Sequence, residues 1–102
     1  MKIGQLKKSK MNIDFIHLKI ILPSQVFVEI NDVKSMVVEC VNGPHGFFPN
    51  ILECTAKVVP GILMYESHAT GATYIAIDEG VVVKNGKEVH VSVRDAIGGR
   101  VL

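Results

Sequence analysis

The side chains able to do chemistry are few and scattered. Four histidines, His17, His45, His68 and His90, occur without an H-x-H pair or a cysteine pair beside them, so the ligand spacing of a zinc site is missing. His17 and His90 alternate with apolar neighbours, which places them on the solvent face or rim of strands. Two cysteines, Cys40 and Cys54, are too few for a disulfide framework and read as buried free thiols of a reducing compartment. Cys54 with a histidine would make a nucleophile pair. Nothing beside it in sequence activates it, and its neighbour Glu53 disfavours a thiolate. Asp78 and Glu79 are adjacent, so on an extended chain they point to opposite faces and do not converge on one bond. The run Gly43-Pro44-His45-Gly46 lacks the G-K-[ST] ending of a phosphate loop and the helix behind it. There is no convergent set of nucleophile, acid and base. The expectation is a non-catalytic protein with no cofactor and no metal.

What remains distinctive is the stretch at residues 43–63, GPHGFFPNILECTAKVVPGIL, where glycine, proline and adjacent aromatics crowd together. Phe47 and Phe48 are neighbours. In an extended segment one faces the core and the other faces out, and an exposed phenylalanine beside a glycine loop marks a partner surface.

The chain has 102 residues, 48% of them hydrophobic, enough for one domain with one core. No apolar run approaches the roughly 20 residues of a membrane helix, and the lysines near the start lead to Asp14 rather than to the apolar segment of a signal peptide. Net charge is +1, but residues 1–11 hold four lysines and no acid, so the body is net acidic. That balance, with no Trp and two Tyr, speaks against nucleic-acid binding.

The elements that would carry these residues read as short strands. Residues 13–22 are β-branched and aromatic and stop at Pro23; residues 26–30 and 33–41 alternate, separated by a turn at Asn31-Asp32. Residues 42–46 are a loop by composition, Pro49-Asn50 a second break, and residues 51–58 a short helical turn. Pro60-Gly61 suits a type II turn, residues 62–67 and 73–77 are strands, and Asn85-Gly86 between β-branched runs predicts a hairpin with a type I′ turn. Strands at this spacing favour a sandwich or barrel. The expected domain is all-β, a flattened sandwich of two sheets and about ten short strands, over residues 13–95. A flexible basic tail at 1–12 precedes it, and a linker at 96–102 follows it.

The order of these motifs resembles the epsilon subunit of rotary F-type ATP synthases, in its N-terminal β-sandwich. LKIILP at 18–23 is similar to the family's opening strand, and Gly43-x-x-Gly46-x-Phe48-Pro49 to its G-x-x-G-x-[LY]-P loop. VPGIL at 59–63, YIAIDEG at 74–80 and KNGKEVHV at 84–91 resemble the turn, strand and last hairpin that follow. VPGILMYE at 59–66 is closer to the sodium-type, alternate branch. Ile51 stands where a histidine is common, Glu79 stands where the family has a second glycine, and no C-terminal helical hairpin follows within this sequence. Nucleotide binding and helix-mediated inhibition are therefore not carried over.

The resemblance implies a non-catalytic rotor part of the central stalk, one copy per complex, on the cytoplasmic side of the cell membrane and peripheral to it. Such a part couples proton or sodium translocation to ATP synthesis or hydrolysis by binding the gamma subunit and the ring of c subunits. The residues it places toward the c ring are Gly43, Pro44, His45, Gly46, Phe47, Phe48 and Pro49; toward gamma it places Leu22, Asn50 and Ile51. Phe47 and Phe48 are the candidate anchors, His45 and Asn50 the candidate rim. The competing reading is a stand-alone β-sandwich that takes a small ligand through the Gly/His/Asn cluster at residues 42–45.

Overall fold

The computed structural model describes residues 14–50 and 53–98; the expected tail at 1–12 and Ile51 lie outside the described residues. The strands are β1 (Ile16–Leu22), β2 (Gln25–Cys40), β3 (Gly43–Phe47), β4 (Glu53–Val58), β5 (Gly61–Ser67), β6 (Gly71–Ile77), β7 (Gly80–Asn85), β8 (Glu88–Val93) and β9 (Ala96–Gly98). Among the described residues there is no helix.

The long strand β2 belongs to two layers. Its first half runs antiparallel to β1, which pairs in parallel with β8, and β7 and β4 complete that layer. Its second half pairs with β3 on one side and β5 on the other, followed by β6 and β9. A single bridge, Cys40 to Val58, joins β4 back to β2. The expected sandwich of about ten short strands shows nine among the described residues, one of them bent through both layers.

Alternation explains the core. Ile16, Leu18, Ile20, Val82, Val89 and Val91 from the first layer and Met36, Val38, Phe47, Leu63 and Ile75 from the second meet in one buried cluster. Lys84 is buried with them at 1% exposure, its ammonium donating to the Gly86 carbonyl, and burial lowers its pKa from the usual 10.5.

Several expectations are corrected. Asn31-Asp32 does not turn the chain: both residues stand opposite His17 in a bulge between the Leu18↔Ile30 and Ile16↔Val33 pairs. The Asp32 carboxylate instead accepts from Ser67 Oγ at 3.1 Å and from the Ala69 amide at 2.9 Å, so it organises the distant β5–β6 turn. Residues 43–47 are a strand rather than a loop, because the turn falls at Val41-Asn42 and Gly43 takes φ +113° behind it. Residues 53–58 are a strand, not a helical turn; pairing along β7 overrides a weak local preference. In the last hairpin Asn85 pairs with Glu88, so the turn is Gly86-Lys87, one residue later than expected, with Gly86 at φ +65°. Ala96–Gly98, expected in the linker, pairs with β6.

At Gly80, opposite Val93, β7 has no room for a side chain. A Cβ there would lie 1.9 Å from the Ser92 carbonyl oxygen and 2.7 Å from Val93 Cα, so only glycine fits.

Candidate partner-binding surface

The β2–β3 hairpin carries most of the singled-out residues. Among the described residues β3 pairs only with β2, from Met36↔Phe47 to Cys40↔Gly43, so its outer side is an edge of the described sheet. Pro44 sits on that edge, where a residue without an N–H is tolerated in a sheet. The tip is held down: the Val41 amide donates to the Lys57 carbonyl at 3.0 Å and the Val59 amide to the Glu39 carbonyl at 3.1 Å. Val41 is nevertheless 61% exposed.

The two phenylalanines divide as strand geometry requires. Phe47 is fully buried in the protein's own core, so it anchors the hairpin internally and is not itself a contact. Phe48 is 47% exposed. A Cβ on Gly46 would lie 3.3 Å from its ring, so the missing side chain makes the seat on which Phe48 rests.

His45 is not a solvent-facing loop residue. Its ring lies 4.7 Å from that of Phe47, and its Nε2 is 3.6 Å from Cys54 Sγ. The cluster at residues 42–45 that suggested a small-ligand site is therefore drawn into the hairpin, with its histidine turned onto a core aromatic. The Cys54–His45 contact was not legible in the sequence, because nine residues and a chain reversal separate the two. Cys40 is buried, and desolvation pushes its thiol above the usual range. Both cysteines are free thiols. Among the described residues no group of three or more His, Cys, Asp or Glu is arranged to hold a metal ion.

Leu22 ends β1 and is partly buried against the core. With Ile21, Pro23, Lys57, Gly80 and Val81 it lines an open groove of about 610 Å³, and Lys57 is the residue whose carbonyl holds Val41. Asn50 is exposed in the turn after Pro49. Leu22 belongs to the groove and Asn50 to the end of the hairpin segment.

The outward faces of the two layers differ. The second layer presents Ile62 at 53%, Tyr74 at 59% and Ile97 at 72% exposure, with Ile62, Ala76 and Ile97 adjacent across three strands. The first presents His17, Lys19, Glu29, Glu88 and His90, with Val81 and Val83 of β7 at 41% exposure beside them. An apolar outer face of this kind on a small domain marks a surface for another protein. Its signal was present in the sequence: residues 62–65, Ile-Leu-Met-Tyr, are apolar on both faces, the pattern of a strand covered on both sides.

The family model for the β-sandwich domain of the ATP synthase delta/epsilon chain matches residues 15–99. No curated protein matches the sequence significantly. Among solved structures, a chain from the Tetrahymena thermophila mitochondrial ATP synthase central stalk/c-ring aligns with a TM-score of 0.67 at 10% identity, over 80% of this chain and 65% of that one. A chain from the Euglena gracilis mitochondrial ATP synthase, in a structure of OSCP, F1 and c-ring, aligns with a TM-score of 0.74 at 17% identity, over 83% of this chain and 53% of that one. At such identities the likeness is one of fold, and this chain spans less than two thirds of either relative's length.

Proposed function

The chain belongs to the β-sandwich family of ATP synthase delta/epsilon chains, and from that premise we propose that it is a non-catalytic rotor component that binds the gamma subunit and the c-subunit ring. It would serve as one copy per complex in the central stalk, peripheral to the membrane on its cytoplasmic side. There it would help couple proton or sodium movement to ATP synthesis or hydrolysis. The c-ring contact would be the β3 arm: Gly43, Pro44, Gly46, Phe48 and Pro49, with His45 and Phe47 stiffening it from behind. Leu22, Asn50 and Ile51 would meet gamma.

The observation that carries this reading is the half-exposed Phe48 seated on Gly46, beside a fully buried Phe47. An apolar ring presented on a rigid arm suits a protein contact, with a buried anchor behind it and polar residues around it. A two-layer β body also resists shear, as torque transmission needs. The test is co-purification of this chain with separately produced gamma and c ring, alongside Phe48→Asp. Retention of the wild type and loss of the variant supports the proposal. A folded wild-type protein that binds neither partner refutes it.

A further inference from the structure

The outer face of the first layer holds a histidine whose two ring nitrogens both meet carboxylates. His17 Nε2 is 2.9 Å from Glu29 Oε2 on β2, and His17 Nδ1 is 3.1 Å from Glu88 Oε2 on β8. Ionised carboxylates only accept hydrogen bonds. A neutral imidazole carries one N–H and one lone pair, so it can donate to one of them and must repel the other. With both carboxylates ionised, the two contacts can exist together only when the ring carries two protons.

We propose that His17 is a pH-operated clasp: as imidazolium it ties β2 to β8 across β1, and on losing a proton it releases Glu29 while keeping Glu88. The side that opens follows from the neighbours. Lys19 lies in register with both Glu29 and His90, so a released Glu29 has a lysine opposite it. Glu88 has as its other neighbour His90, whose Nε2 is 3.6 Å away. The residues in register with Glu88 are His17 and Asn85, neither of them a lysine, so Glu88 gains more by keeping His17. Among the described residues nearby, Lys87 pairs with Asp14 at 2.8 Å, Asp32 opposite His17 accepts from Ser67 and Ala69, and the Lys87 carbonyl accepts the His17 backbone amide at 2.8 Å. That backbone bond holds β1 in place while the clasp on its side chain opens.

The electrostatics agree in direction. Hydrogen bonding to Glu88 and then to Glu29 raises the His17 pKa above the usual 6.5, and the same contact with His17 lowers Glu88 below 4.5. A raised histidine stabilises the fold fully below 6.5 and loses that contribution as pH rises through its folded value; a depressed carboxylate contributes above 4.5 and loses it as pH falls. The clasp is therefore closed between these limits and opens on the alkaline side.

The test is ¹⁵N NMR of the imidazole nitrogens in the full chain from about pH 5 to about pH 10, with amide exchange of Val28, Glu29 and Ile30 followed in parallel. The expected result is a His17 titration above the ordinary value that falls in both Glu29→Gln and Glu88→Gln. Above it the neutral ring should carry its proton on Nδ1. Exchange at the three amides should then exceed its intrinsic rise with pH, and Glu29→Gln should abolish that excess. A ring that titrates at the ordinary value and ignores both substitutions would overturn the clasp. A neutral ring protonated on Nε2, or exchange without any excess, would overturn the assignment of the side that opens.

Discussion

Truncating each phenylalanine of the pair should separate stability from binding. Phe47 has no exposed surface and packs against His45 and the core of both layers. Phe47→Ala removes its transfer energy and leaves a cavity, a cost of about 3–5 kcal/mol. Against a total of roughly 5–15 kcal/mol for a domain, that takes a large share. With a urea slope of about 1–3 kcal/mol/M, the midpoint should fall by roughly 1–5 M. Phe48 already exposes 47% of its surface. Phe48→Ala therefore gives up about half of a side-chain burial, about 1 kcal/mol, and a midpoint shift below about 1 M. Far-UV circular dichroism is the readout, since the chain has no Trp. Binding to gamma and the c ring should behave in reverse: Phe48→Ala should weaken the c-ring contact in a protein that is still folded. Equal stability losses from the two substitutions, or a larger one at Phe48, would refute the division of the pair between core and surface.

Three further outcomes are expected. Gly80→Ala forces a methyl group to within 1.9 Å of the Ser92 carbonyl oxygen, so β7 and β8 must part; the cost should exceed about 2 kcal/mol, read as a fall of about 10 °C or more in Tm. Pro44→Ala on the exposed edge should change stability by less than about 0.5 kcal/mol in urea unfolding, while weakening c-ring retention. Asp32 is held below its usual 3.8, chiefly by the Ala69 amide. Its contribution is thus present above that value and lost as pH falls below it. The stability gap between wild type and Asp32→Asn should therefore shrink in acid; a gap that is flat or widens there would show that the Ser67 and Ala69 contacts do not hold the ionised form.

The sequence by itself determined what depends on near neighbours. Period-two alternation placed Ile16, Leu18 and Ile20 on one face and split Phe47 from Phe48, because adjacent side chains on an extended chain must point apart. Glycine chemistry marked the last hairpin to within one residue, since Gly86 supplies the positive φ that few other residues adopt. Only the tertiary structure decided what depends on pairing across the chain. Asn31 and Asp32 look like a turn, yet β2 runs through them because β1 and β5 both pair with it and Asp32 spends its carboxylate on Ser67 and Ala69. Residues 53–58 became a strand because β7 was there to pair with them. The parallel β1–β8 pair set Glu88 beside His17, 71 residues away, and so created the charged clasp. Register is a property of two strands together, and hydrophobic alternation within either one does not reveal which partner it will take.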